Sequence, residues 1–170
     1  MAYGKRRKQV DMSTLPLDKQ RSRAYDYCIW HLSQTDRTEK YLREKMRGKN
    51  YVQEVIDSTI NALTDAGLLD DDAYAERYME RSDVQKMGKR AISYKLRNVG
   101  IEQERIDELL DSVSEDDERS AALELAQKKY DSFPADLPEQ KQKSRLLGLL
   151  SRRGFSGDVV FSVVSEVMGA

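Results

Sequence analysis

The chain has 170 residues, with 29 Lys and Arg against 30 Asp and Glu, and is 35% charged and 39% hydrophobic. That length holds one sizeable core or several small linked ones, and so much charge beside only three Pro and nine Gly favours amphipathic helices with broad solvated faces over one thick globule. No apolar run approaches the roughly 20 residues of a membrane span, the amino terminus lacks the apolar core of a secretory signal, and a single cysteine, Cys28, excludes an internal disulfide, so a reducing cytoplasm is the expected location.

In chain order, residues 1–16 carry Lys5, Arg6, Arg7 and Lys8 with little apolar content before Pro16, and are expected to form a flexible basic arm. From Leu17 the pattern is helical throughout, with no sheet expected. Three segments then align without a gap: Leu42 to Tyr51, Ile92 to Ile101 and Leu146 to Phe155. In each, two apolar residues spaced i, i+4 share a helix face: Leu42 and Met46, Ile92 and Leu96, Leu146 and Leu150. Asn50, Gly100 and Gly154 follow where that helix should stop in a left-handed residue, and Tyr51, Ile101 and Phe155 are placed to pack back on its last turn. The same register pairs Ile56, Ile106 and Val160, then Ile60, Leu110 and Val164, then Leu63, Val113 and Val167.

An amphipathic helix precedes each pair, at about Ser22 to Leu32, Asp72 to Val84 and Glu118 to Tyr130. Gly67 ends the helix before the second copy, Asp70, Asp71 and Asp72 are placed to cap and charge-complement the helix that follows, and Asp131 to Pro138 reads as a loop. The expected fold is therefore all-α: three tandem three-helix, helix-turn-helix-like repeats at 17–68, 69–115 and 116–170, forming an elongated, curved array.

The run Gly67 to Arg77, followed by Gly88-Lys-Arg90-Ala-Ile92 and Leu96 to Ile101, resembles the RecX family of recombinase regulators. Thr38 to Met46 is similar to that family's Ser-x-x-Glu-Leu-x-x-Lys-Leu pattern, with Thr for Ser and Met for Leu, and Arg153-Gly154-Phe155 also matches. Asn50 stands where the pattern usually has Gly. The resemblance implies a modular helical protein that binds the groove of the RecA–DNA filament and restrains filament growth, strand exchange, ATP hydrolysis and co-protease activity.

The residues themselves point to basic faces on the second helix of each copy. With Ile92 centred on the core side, Lys86, Arg90 and Arg97 fall roughly opposite, beside Tyr94. The full set of expected contact residues is Lys40, Arg43 and Arg47 in the first copy, Lys86, Lys89, Arg90 and Arg97 in the second, and Lys143, Arg145, Arg152 and Arg153 in the third. Such faces can neutralise phosphates or fork onto carboxylates, though charge runs commonly only solvate a helix. The third copy has Ser144 and Ser151 at the positions of Arg90 and Arg97, its charge displaced to neighbouring residues. Glu102, Glu104, Asp107, Glu108 and Asp111 make the following helix acidic, suited to water or a basic protein surface and not to DNA.

Cys28 and His31 are too few for a structural zinc site and read as a core thiol beside an ordinary histidine. Tyr25, Tyr27 and Trp30 read as packing, with a base-stacking platform as the other option. With one histidine and no phosphate-cradling glycine loop, no enzyme, cofactor or metal is expected. The leading expectation is a monomeric partner of RecA and its single-stranded DNA filament, with some weak direct DNA binding. A general DNA-binding repeat acting without RecA is the alternative, since three-helix units with basic second helices also resemble helix-turn-helix modules, and a protein-only helical scaffold is a third option.

Overall fold

A computed structural model describes residues 10–169. Among them there is no strand, and the helices run α1 (Leu17–Gln34), α2 (Glu39–Arg47), α3 (Gln53–Asp65), α4 (Asp71–Met79), α5 (Lys89–Val99), α6 (Gln103–Asp111), α7 (Glu115–Asp131), α8 (Glu139–Arg152) and α9 (Gly157–Met168). They form three successive sets of three, and the fold is the all-helical tandem arrangement that the aligned segments predict. The basic cluster Lys5 to Lys8 lies outside the described residues.

The repeated positions are buried as one set. Leu42, Ile92 and Leu146, then Met46, Leu96 and Leu150, then Tyr51, Ile101 and Phe155, then Ile56, Ile106 and Val160 all lie in the interior. Ile60, Leu110 and Val164 follow, and of the last trio Leu63 is buried while Val113 and Val167 are half-buried. Each inward Leu or Ile contributes roughly 1.5–3 kcal/mol on leaving water, which makes this stripe the main force folding each set.

The turn between the second and third helices has one geometry in all three. Asn50, Gly100 and Gly154 have φ of 62°, 100° and 83°. The amides just after them return to the carbonyls five residues back, Tyr51 to Met46 at 3.2 Å, Ile101 to Leu96 at 3.1 Å and Phe155 to Leu150 at 3.3 Å. Asn50, Gly100 and Gly154 themselves donate to the carbonyls three back. This is the Schellman arrangement, which satisfies carbonyls that a helix end leaves orphaned. Asn50 takes the glycine role because its short polar side chain tolerates the left-handed region, and here its Nδ2 donates to Asp11 Oδ2 at 3.0 Å.

Residues 10–16 lie against the first repeat. Met12 N donates to Lys49 O at 3.1 Å, Met12 packs on the core, and Met12–Thr14 make a 3-10 turn capped by Asp11. Gln20, buried on α1, donates from Nε2 to Leu15 O at 2.8 Å and accepts from Val52 N at 3.3 Å. It thereby ties this segment to the α2–α3 linker.

The expected first helix of the second copy, to Val84, is shorter: α4 ends at Met79, and residues 80–88 turn instead. Ser82 and Asp83 are weak helix formers, and the Arg81 guanidinium doubles onto the Asp83 carboxylate at 3.0 and 3.1 Å, locking a local turn. Val84 still reaches the interior, over a cleft of about 450 Å³ lined by Met79, Met87, Ile92 and Val113 among others.

The described chain divides into two compact units, one ending at Tyr74 and the other starting at Ala75, so the division falls inside α4. Within each unit, an acid from one repeat caps the second helix of the repeat before it. Asp71, at the start of α4, accepts the Glu39 amide of α2 at 2.9 Å. Glu118 on α7, buried, accepts the Lys89 amide of α5 at 3.0 Å. In the second unit the join is closer still: Gly88 N donates to Arg153 O at 2.9 Å and Arg90 N to Gly154 O at 3.3 Å. A Cβ on Gly88 would come within 2.3 Å of the Gly154 backbone, and one on Gly154 within 2.4 Å of Ala91, so two facing glycines allow the start of α5 to rest on the end of α8.

Candidate partner-binding faces

The three second helices carry their basic residues in different states. On α2, Lys40 and Arg47 are exposed. Arg43 is not available to a partner: Nε donates to Glu39 Oε1 at 2.6 Å and Nη1 to Asp57 Oδ1 at 2.5 Å, with the side chain only 22% exposed. The guanidinium holds the Asp57 carboxyl below its ordinary value through that hydrogen bond. Arg43 therefore pins α2 to α3.

On the second repeat, Arg90 and Tyr94 point outward from α5, with Tyr94 65% exposed. Arg97 is outward too, but both Nε and Nη2 donate to Gln103 Oε1, at 3.0 and 2.6 Å, and Gln103 in turn donates to Asp107 Oδ1 at 2.6 Å. Lys89, half-buried, is the first residue of the helix and serves through its amide. Lys86 does not share the α5 face at all, because the helix begins three residues later. It sits in the 80–88 turn with Nζ 4.0 Å from Glu124 Oε1 of α7. Gly88, with no side chain and its amide committed to Arg153, sets the start of α5 and so overrides the helical projection that placed Lys86 with Arg90.

On α8, Lys143 and Arg145 are exposed, Arg145 lying 6.0 Å over the Phe133 ring. The joining of α5 to α8 then does what spacing could not reveal. Arg152 and Arg153 at the end of α8 and Lys95 of α5 line one cavity of about 220 Å³, together with Met87 and Ala91. Cations from two copies that are separate in sequence thus share one small basin, and Lys95 belongs with the candidate residues although its register did not single it out. Such a basin can hold an anionic oxygen group, a phosphate or a carboxylate. Glu102, which precedes α6, and Glu104, Asp107, Glu108 and Asp111 on it are all exposed, so opposite charges occupy successive helices of one unit.

Cys28 is fully buried, and burial pushes its thiol up to about 11, which leaves it an inert core residue. Tyr25 and Tyr27 pack on the core of the first unit, but Trp30 does not: it is 57% exposed. No helix among the described residues is long and apolar enough to cross a membrane.

Comparison with known proteins agrees with this architecture in kind and position. The family model of the RecX first three-helix domain matches residues 24–63, and that of the RecX third three-helix domain matches residues 115–164. Regulatory protein RecX of Mycobacterium sp. (strain KMS) is 32% identical over 148 residues, covering 84% of this chain and 80% of the relative. The chain belongs to the RecX family. A RecX relative from Amycolatopsis mediterranei is 29% identical over 153 residues, 89% of this chain and 87% of its own. The crystal structure of RecX from Lactobacillus salivarius superposes with a TM-score of 0.71 at 25% identity, covering 88% of this chain and 97% of that one. These RecX relatives are named as regulatory proteins, not as enzymes.

Proposed function

We propose that this RecX-family protein regulates RecA by lying in the groove of the RecA–DNA filament, where it restrains filament extension, ATP hydrolysis, strand exchange and co-protease activity during DNA repair and the SOS response. It acts there in the cytoplasm as a monomer. The observation that carries the reading is the basin lined by Lys95, Arg152 and Arg153, with Arg90 and Tyr94 exposed on the same helix as Lys95. A regulator that must hold a polyanionic filament needs several cations presented together on a rigid mount, and here two backbone-to-backbone hydrogen bonds fix one helix against the other. Lys40 and Arg47 on α2 and Lys143 and Arg145 on α8 add further contacts, and linking several weak sites in one chain raises avidity without any new chemistry.

The test is a RecA ATPase and strand-exchange assay on single-stranded DNA with the protein titrated in. Replacing Arg90, Lys95 and Arg152 together by Ala should raise the concentration needed for half inhibition at least tenfold, a loss of about 1.4 kcal/mol, and should flatten its salt dependence. Unchanged inhibition by that variant would remove the basin from the mechanism, and absence of binding to RecA–single-stranded DNA filaments at low salt would remove the reading itself.

A further inference from the structure

Helix α1, helix α2 and the turn that follows it carry a second surface, built from side chains other than the Lys40 and Arg47 of the filament reading and independent of that reading. Its centre is His31, which is buried. Three rings surround it edge-on: Tyr27 at 4.6 Å, Trp30 at 4.8 Å and Tyr41 at 5.4 Å between centroids. Three cations stand around the rings: Arg37 lies 4.3 Å over Tyr41, Lys45 5.2 Å over the same ring, and Lys49 6.0 Å over Tyr27.

Two features are unusual for a packing cluster. Trp30 is more than half exposed, although burying so large a ring is ordinarily among the most favourable events in folding. The cluster also holds two buried polar atoms without a hydrogen-bond partner, His31 Nε2 and Arg37 Nε, where native interiors satisfy nearly all such groups. Among the described residues, no carboxylate pairs with Arg37, Lys45 or Lys49. Burial first, then Lys45, Arg37 and Lys49 in turn, depress the affinity of His31 for a proton, as expected in an unneutralised positive field. The combination is an exposed flat aromatic face beside positive charge that no carboxylate pairs with, and buried polar atoms without a hydrogen-bond partner.

We propose that this surface is a binding site for single-stranded nucleic acid: a base stacks on the free part of Trp30, and the neighbouring phosphates sit against Arg37, Lys45 and Lys49. A stacking face selects unpaired bases, since in a duplex the base faces are covered by their neighbours. The three cations supply the sequence-independent part of the affinity. Nothing in the cluster reads base edges, so sequence preference is weak.

The chain has one tryptophan beside nine tyrosines, so emission excited selectively in tryptophan reports on Trp30. The full chain, without RecA, is titrated at about 50 mM salt with oligothymidylate about 20 nucleotides long, with duplex of equal length, and with polyglutamate. Saturable quenching by the oligothymidylate, weaker by at least tenfold for the duplex, is expected. The logarithm of the binding constant should fall with the logarithm of salt with a slope of about −2, for three phosphate contacts on a single strand. A variant with Arg37, Lys45 and Lys49 all changed to Ala keeps the fluorophore and should bind at least tenfold more weakly with a slope near zero. Trp30→Ala, followed by anisotropy of a labelled oligonucleotide, should bind about 5- to 150-fold more weakly with an unchanged circular dichroism spectrum. No quenching, equal quenching by the duplex, or equal quenching by polyglutamate overturns the proposal, the last pointing to an acidic protein partner. Binding of the triple variant to RecA–DNA filaments, measured alongside, keeps the two readings apart: lost quenching with filament binding intact supports this site, and lost filament binding with quenching intact overturns it.

Discussion

At the start of α2 the free amides are met by side chains, whereas α5 begins at Gly88 and also sends amides to backbone carbonyls. The Thr38 hydroxyl accepts from Tyr41 N at 3.4 Å and the Asp71 carboxylate from Glu39 N at 2.9 Å. Glu118 does for α5 what Asp71 does for α2, but the Gly88 and Arg90 amides go to Arg153 and Gly154. A side-chain cap can be replaced in kind at moderate cost. Backbone resting on backbone admits only hydrogen in place of a side chain, so the α5–α8 join is the stricter of the two.

The sharpest way to break this contrast is Gly154→Ala. The new methyl would meet Ala91 at 2.4 Å in a residue already at φ 83°, so overpacking and left-handed strain add to a destabilisation of about 2–5 kcal/mol in urea unfolding. Gly67→Ala has the strain without the clash, nothing lying within 4 Å of its Cβ, and should lose only about 1–2 kcal/mol. Equal losses in the two variants would mean that the glycine contact contributes nothing. Next in size, Asp71→Ala and Glu118→Ala should each cost about 0.5–2 kcal/mol, with Asp71→Asn and Glu118→Gln recovering much of it by restoring an acceptor. No recovery would show that charge, and not the accepted hydrogen bond, is what the two caps supply.

The smallest effect is one of pH in the first unit. The folded His31 binds a proton less readily than an ordinary histidine, so the unfolded chain takes up more protons as pH falls. Its contribution is therefore complete above about pH 6.5 and is lost progressively below it. The melting temperature should drop more steeply between neutral pH and pH 5 in the natural chain than in His31→Gln, and parallel profiles would remove His31 as the cause.

The stripe that folds each repeat was legible because it is periodic: Leu42 and Met46, with their partners fifty and more residues on, can be read from spacing alone. The left-handed turn was legible too, even at Asn50, since few residue types accept that backbone. What spacing could not show were choices made by neighbours in space. Arg43 belongs to Glu39 and Asp57, Lys86 lies off the α5 face because the helix starts only after Gly88, and Lys95 lines a cavity with Arg152 because two glycines let the helices close. The exposure of Trp30 was hidden for the same reason: a Tyr-Cys-Ile-Trp-His run looks like core until the ring is seen to stand outside it.

The acid caps have a polarity that bears on how such a chain comes apart. Each capping carboxylate belongs to the later repeat and serves the earlier one, so fraying of α7 withdraws the acceptor from the start of α5, while fraying of α5 takes nothing of that kind from α7. Disorder entering at one helix is therefore transmitted backwards along the sequence. Hydrogen exchange should find the first amides of α5 opening together with α7, coupled neighbours in a directional chain of nearest-neighbour contacts.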